Sequence, residues 1–491
     1  MRVLSCAVGH DASITILNDG KIELYRAASR LTRYKHDWQI IKCIKELIST
    51  NNNTFDSIVV CFYKHVHEWL WRNPLEYLFQ QHFTCDDITW TYEHHHLYHA
   101  HTGYYHSFFD EALVVVLDGF GSELIDGDDF VNETESVYHA CDGHFKSVHK
   151  GYCKTPHELF PHDILLHRML DYSGVDTDVG LGIRFEEVSR ECGFGQWGAG
   201  KVMGLAPYKH IADEKIDNWM IQKSKWIQEE CEDYTINLIN KYKHISDNIV
   251  ITGGYALNCV ANTRFKHTFP DHNIQIDPIC ADDGISIGLA YYHTQDNVQR
   301  LQSPYIGTPL NPPITSTTTY HDVAQLIAEG HVIGMCQGQS EAGHRALGNR
   351  SLLFDPRLTQ EHINSIKGRE HWRPFAGTVL QQYASKWFDV NISPHMQYTV
   401  NVKSNSIPAI THVDNTCRVQ TVDVQQNYHF YHLINAFNDI TSIPILGNTS
   451  FNYSGEDIAE TYQQALDTAR KMKIKYLFVP DVMGLVLVEK E

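Results

Sequence analysis

Three times in its N-terminal part this chain runs a stretch of strand-forming apolar residues straight into glycine. These are VLSCAVG (Val3–Gly9), ALVVVLDG (Ala112–Gly119) and NIVITGG (Asn248–Gly254). A buried strand that stops at glycine, followed by a helix or turn, lets backbone amides approach a ligand and aims free helix-start N–H groups at anions. Two hairpins accompany this pattern. After the first run, ASITIL and KIELYRA flank the turn Asn18–Gly20, so residues 1–26 read as a hairpin. SVYHACDGHFKSVHK folds back at Asp142-Gly143. YALNCVANTRF, just after Gly253-Gly254, reads as a helix start. The expectation is a mixed α/β protein whose strand ends carry the chemistry.

With 491 residues the chain is too long for one ordinary domain. The segment Gln302–Asp322, rich in Pro, Ser and Thr, reads as a linker. Beyond it a helix (DVAQLIAEG), a strand (VIGMCQG) and a closing pair of short strands (IKYLFVPDVMGLVLVEK) form a second domain. The excess of 59 carboxylates over 40 lysines and arginines argues against broad attraction to nucleic acid, though not against a local basic groove. The twelve cysteines never fall in C-x-x-C spacing, which suits a reduced cytoplasmic protein. No apolar run is long enough for a membrane span, and the first residues do not read as a signal peptide.

The stretch EHHHLYHAH, Glu93–His101, holds five histidines. On a helix only His95 and His99 are four apart and share a face, with His96 and His99 as the weaker pair. Two imidazoles alone make a poor metal site, so carboxylates must come from elsewhere. Asp118, at the end of a strand, and Asp282, in CADDGISIG, are candidates. The alternative is that the histidines line a polar face and that Asp282 or Asp283 only caps the next helix.

Many motifs together resemble the O-carbamoyltransferase family, which includes nodulation-factor, cephamycin and tobramycin enzymes. They are VGHDASITILNDG, HHLYHA, VVVLDG, GKVMGLAPY, GGYALNCVAN, ADDGISIG, HRALGNRSLLFDPR, KGREHWRPFAGTVL, PAITHVDNTCRVQT and LGNTSFN, in family order along nearly the whole chain. The resemblance implies a duplicated α/β domain of the actin-like ATPase (ASKHA) superfamily over residues 1–302. A linker at 303–320 and a YrdC-like α/β domain at 321–491 would follow. It implies that His95, His99, Asp118 and Asp282 hold iron or zinc, with magnesium accompanying ATP.

In that scheme the second domain makes carbamoyladenylate from carbamoyl phosphate and ATP. Arg345, Lys367, Arg373 and Arg418 would supply the cations and donors that a small dianion needs, and Asn448 and Ser450 would orient the carbamoyl amide and phosphate. The first domain receives the adenylate, with Gly253, Gly254 and Asn258 on the nucleotide and Lys201 and Gly204 lining the same cleft. His10 is the candidate general base, assisted by Lys35 and His36 at the acceptor. The product is a carbamate ester, and the expected assembly is a homodimer without membrane association.

The chain departs from the family in three places. Where a run like EEERFSRVKHD is usual, it reads YRAASRLTRYKHD, Tyr25–Asp37. Ala28 and Ser29 replace acidic residues while Arg30, Arg33 and Lys35 remain. Three cations without the acids suit an anionic acceptor, such as a 5-hydroxymethylpyrimidine in a nucleotide or in DNA, with Tyr34, Trp38, Trp69 and Trp71 as stacking candidates. A sugar or antibiotic-like acceptor is the alternative. His344 and Asp457 stand where proline is common. Two other readings compete: a nucleotide-binding protein without turnover, and a threonylcarbamoyl-transfer enzyme on the same folds.

Overall fold

A computed structural model describes all residues except 51–52, 64, 127–128, 156–179, 211–215, 296, 314–316 and 489–491. It divides into two compact units. The first comprises Met1–Ala28, His36–Ala206 and Ile216–Gln302; the second comprises Ser29–Lys35, Pro207–Lys215 and Ser303–Glu491. The second unit therefore takes in two short segments from the N-terminal part of the chain.

The first unit is the same α/β pattern twice. In its first sheet β1 (Arg2–Val8) is central. It pairs antiparallel with β2 (Ser13–Asn18), which pairs antiparallel with β3 (Lys21–Ala27). On its other side β1 runs parallel to β4 (Thr54–Phe62), and β4 to β5 (Thr84–Thr91). The second sheet repeats this order. β6 (Glu111–Leu117) pairs antiparallel with β8 (Asp129–Cys141), which pairs with β9 (His144–Thr155). On the other side β6 is parallel to β10 (Asn248–Thr252) and β10 to β11 (Asn273–Ile276), while the short β7 (Glu123–Asp126) adds to β8. Both expected hairpins are present, at Asn18–Gly20 and at Asp142-Gly143.

The repeat extends to the helices. β5 leads into the helix His95–His106, and β11 into the helix Ile285–Thr294. Tyr98 from the first, with Ile285 and Leu289 from the second, packs against Val3, Ala7, Val59 and Cys61 of β1 and β4 in one buried cluster. Thr102 Oγ1 donates to Gly284 O at 3.0 Å, which ties the start of one helix to the middle of the other. The central strands are apolar on both faces because helices cover them, which is the burial expected of parallel strands. Ligands in open α/β sheets gather beyond the carboxyl ends of such strands. Here those ends are Gly9-His10-Asp11 after β1, Asp118-Gly119 after β6 and Gly253-Gly254 after β10.

The second unit is built on one eight-stranded mixed sheet. Its strands are β12 (Ile333–Cys336), β13 (Arg350–Phe354), β14 (Ala376–Leu380), β15 (Thr399–Asn401), β16 (Thr416–Val422), β17 (Ile445–Ser450), β18 (Tyr476–Val479) and β19 (Gly484–Leu487). They lie in the order β15-β16-β14-β17-β13-β12-β18-β19. The helix Tyr320–Ala328 opens on a capping box between Thr319 and Asp322. Among the described residues no helix is long and apolar enough to cross a membrane.

Candidate functional site

The histidine stretch forms the start of the helix His95–His106. His95 and His99 lie one turn apart and point the same way, toward two carboxylates. His95 Nε2 is 3.3 Å from Asp118 Oδ2 and 3.5 Å from Asp282 Oδ1; His99 Nε2 is 3.4 and 3.3 Å from the same atoms. All four residues are buried, and the four ligand atoms lie within 4.8 Å of one another. His99 Nε2 makes no well-formed hydrogen bond in this position. Of the remaining histidines, His96 turns its Nδ1 to Ser136 Oγ at 2.9 Å, and His101 turns to Leu97 O and stacks on Phe145. The weaker pairing of His96 with His99 is thereby set aside, since His96 faces another wall.

Each member is held in place by its element. Asp118 follows β6 directly, and its Oδ1 accepts from Gly254 N at 3.1 Å. Gly253, the residue before, has φ +88°, and a Cβ there would fall 2.3 Å from Leu117 O, so only glycine lets β10 pass so close to the end of β6. Asp282 does not cap the following helix with its side chain. Its Oδ1 meets the imidazoles, while its Oδ2 lies 3.3 Å from His10 Nε2, and Tyr63 Oη donates to its carbonyl. Burial opposes charge on His95, but Asp282 and Asp118 outweigh it and hold the imidazole up at about 10. Burial dominates for His96 and pushes it down to about 4. Two carboxylates in a dry site thus demand positive charge from whatever sits between them and the histidines.

His10, partly exposed, stands at the end of β1 beside His36. His36 Nδ1 is 2.8 Å from Asp11 Oδ2, and Trp197 stacks on His36 with ring centroids 3.8 Å apart. Asp11, Tyr63 and Trp197 were not singled out from the sequence. Trp197 lies in the glycine-rich GFGQWGAG, which is the only signal it offered. Lys35, expected beside His10, is exposed and belongs to the second unit. Lys201 and Gly204 lie on the short helix Ala199–Leu205, with Lys201 Nζ over the Phe194 ring. Asn258 caps the helix Cys259–Thr268: its Oδ1 accepts from Ala261 N, and its amide pairs with that of Gln228. Both ends of this side chain are engaged within the unit.

The second unit collects most of the expected cations. Lys367 is buried, and its Nζ donates to Ser450 O at 2.5 Å and Asn452 Oδ1 at 2.8 Å. Burial, and then Arg369, Lys35, Arg373 and Arg33, hold Lys367 well below the usual lysine range. Arg369, absent from the sequence reading, is depressed by burial and by Arg373 and Arg418, and its guanidinium covers the Phe375 ring. Arg373 is lowered by burial, which Glu370, 3.7 Å away, opposes and Arg418 reinforces. Arg345 is partly buried in the loop before β13. Across the sheet, Arg418, Ala376 and Asn448 are register neighbours on β16, β14 and β17 and so face the same side. Asn448 donates to Thr378 Oγ1 and Gln420 Oε1 at 3.1 and 3.3 Å. Its Oδ1, and Arg418 Nε, are buried without a hydrogen-bond partner.

Arg30 and Arg33, expected to face an anionic acceptor, are engaged elsewhere. Arg30 donates to Glu341 O and Gly343 O, and Arg33 pairs with Glu456 Oε2 at 2.9 Å and donates to Thr468. Two of the three cations are therefore engaged inside the second unit. The three departures form one cluster around Arg30. Burial resists charge on Asp457, yet Arg30, a hydrogen bond to Ser29 and nearby His344 hold it below the ordinary carboxylate range. Asp457 thus sets a carboxylate beside Ser29 and Arg30. Of the stacking candidates, Tyr34 and Trp69 are exposed and Trp38 packs edge-on against His67.

The family profile described as Carbamoyltransferase C-terminus matches residues 324–486, and Carbamoyltransferase N-terminus matches residues 226–291. The chain is 30% identical to Nodulation protein NolNO of Sinorhizobium fredii, over 81% of this chain and 63% of that protein. The chain carries both the N-terminal and the C-terminal carbamoyltransferase family domain. It is 31% identical to Nodulation protein NolO of Bradyrhizobium diazoefficiens, over 59% of this chain and 66% of that protein. The 3'-hydroxymethylcephem-O-carbamoyltransferase of Amycolatopsis lactamdurans is 33% identical over 42% of this chain and 43% of its own length. The chain thus spans somewhat less than two thirds of both nodulation relatives.

Proposed function

We propose that this chain is an ATP-dependent O-carbamoyltransferase. The observation that carries the reading is the polar face of the second unit's sheet. Arg418 Nε and Asn448 Oδ1, one donor and one acceptor, lie on either side of the small Ala376 without partners. A carbamoyl group offers a carbonyl to the one and an N–H to the other. Around them burial, and after it neighbouring cations, lower the proton affinity of Lys367, Arg369 and Arg373, which a bound anion relieves. Carbamoyl phosphate and the ATP phosphates are anions of this kind.

Water releases phosphate from carbamoyl phosphate; a carbamate oxygen attacks the α-phosphate of ATP, giving carbamoyladenylate and pyrophosphate. An acceptor oxygen then attacks the carbamoyl carbon, AMP leaves, and the hydroxyl proton passes to a base. His10 suits that last task. It is reachable from solvent and is oriented by Asp282 at 3.3 Å. This assignment places the actin-like ATPase fold in the first unit and a YrdC-like fold in the second.

The residues of the His/Asp cluster fit a divalent metal such as iron or zinc. Two imidazoles and two carboxylates are a donor set that such an ion accepts, and their four nitrogen–oxygen separations run from 3.3 to 3.5 Å. When bound, the metal supplies Lewis-acid polarisation of an acylated phosphate. The acceptor is a hydroxyl compound.

The test is to incubate the protein with ATP, carbamoyl phosphate, Mg and Fe or Zn, and to follow AMP and any product heavier by one carbamoyl group. Carbamoyl-dependent AMP formation is expected. Its absence, with nucleotide binding intact, returns the chain to the non-catalytic reading. AMP formation driven by bicarbonate and threonine instead would favour threonylcarbamoyl transfer.

A further inference from the structure

The structure assigns Trp197 as a specificity-determining residue that offers the acceptor a flat aromatic face beside His10. The inference rests on the carbamoyl-transfer reading and names the acceptor class: an alcohol carried on a ring with a flat, weakly hydrated face. Trp197 is 50% exposed, among the largest apolar groups the first unit leaves open. It stacks on His36 at 3.8 Å and 16°, and on His10 at 5.2 Å and 26°. His10 in turn reaches the His/Asp cluster through Asp282. An exposed tryptophan that covers only scattered surface would need no such neighbours.

The indole is presented by a built turn. Gly195 has φ +77° with open space where a Cβ would be, so the loop can reverse there. Ser189 Oγ donates to Gly195 O at 2.6 Å, Phe194 N to Ser189 O at 2.9 Å, and Gly198 N to Gly195 O at 3.3 Å. The helix Ala199–Leu205 begins immediately after. From below, Asp11 fixes the His36 ring through Nδ1 at 2.8 Å. A firmly presented indole with half its surface open is a preorganised stacking platform, and ring stacking tolerates many ring types. Nucleobases and the apolar faces of sugars share this chemistry, and the arms below separate them.

The experiment measures carbamoyl transfer by wild type, Trp197→Phe and Trp197→Ala to 5-hydroxymethyl-2′-deoxycytidine, to glucosamine and to glycerol, which has no ring. AMP release without acceptor reports whether the first half-reaction runs. For the better ring acceptor, KM is expected to rise roughly tenfold or more in Trp197→Ala, the fold-change of a stacking contact of about 1.4 kcal/mol. The change in kcat should be smaller, and Trp197→Phe should recover most of the loss. Preference for the nucleoside or for the sugar identifies the source of the ring. An unchanged KM in Trp197→Ala, or an equal loss for glycerol, overturns the assignment of Trp197 while leaving carbamoyl transfer standing. AMP release with no product from either ring alcohol also overturns it. No AMP and no product from wild type removes the carbamoyl-transfer reading, and this inference with it.

Discussion

Asp282 serves His10 and the histidine pair at once: its Oδ2 lies 3.3 Å from His10 Nε2 while its Oδ1 lies 3.3 Å from His99 Nε2. One carboxylate thus fixes the candidate base relative to the candidate metal. The duplicated fold explains why this is feasible. His10 and Asp118 follow the central strand of each repeat, and the histidine pair and Asp282 open the helix that closes each repeat. A site shared by two equivalent halves needs no long loop to complete it.

Substitutions on the metal side and on the His10 side of Asp282 should therefore separate their roles. Asp282→Asn or His99→Ala is expected to lose bound iron or zinc, read as metal per chain by elemental analysis after desalting. His10→Ala should keep the metal but lower the rate of transfer by about 10²-fold or more, the usual size of a general-base contribution. Metal loss in His10→Ala would show that His10 belongs to the ligand set instead.

The Lys367 environment makes a pH prediction. Burial and neighbouring cations hold its folded pKa below the unfolded 10.5. The native protein therefore binds fewer protons than the unfolded chain between those two values, and stability from this group rises with pH across that window. A bound phosphate anion reverses the shift, so binding takes up a proton and weakens as pH rises, by up to about tenfold per unit for one proton. Calorimetry of ATP or carbamoyl phosphate binding in buffers of different ionisation enthalpy measures the uptake. Proton release on binding would contradict the role given to Lys367.

How much of this was legible beforehand depended on whether the information was local. The i,i+4 spacing of His95 and His99 and the strand-end position of Asp118 are local, and they were readable. Arg30 and Arg33 looked available because their partners, Glu341, Glu456 and Asp457, are distant in sequence and packed by tertiary structure alone. Asn258 carries an ordinary helix-cap signature as well as a family motif, and the structure shows the cap. Trp197 was hidden because nothing in its own segment says that the loop lands on His36.

Gly253→Ala should disable the metal cluster without touching a ligand. The added Cβ meets Leu117 O at 2.3 Å in a left-handed backbone, so β10 must move away from β6. Gly254 N then loses its hold on Asp118 Oδ1. A destabilisation of about 1–3 kcal/mol is expected, seen as a lower thermal midpoint together with reduced metal content. A midpoint that falls while metal stoichiometry stays whole would mean that Asp118 is positioned by other contacts.

Gln420 should matter because it fixes which way Asn448 faces. Its Nε2 donates to Leu347 O at 2.9 Å, and its Oε1 accepts from Thr378 Oγ1 at 2.9 Å and from Asn448 Nδ2 at 3.3 Å. These bonds hold the Asn448 amide group toward the sheet and leave its Oδ1 for a ligand N–H. Gln420→Leu removes the acceptor and leaves Leu347 O without this donor, at a cost of about 1–3 kcal/mol in a buried network. With Asn448 free to flip, selection of a carbamoyl group over an acetyl group of the same shape should weaken. The measurement is AMP formation from carbamoyl phosphate compared with acetyl phosphate, wild type against variant. A large stability loss with unchanged discrimination would make Gln420 a structural residue and leave Asn448 oriented by Thr378 and Ala346 O alone.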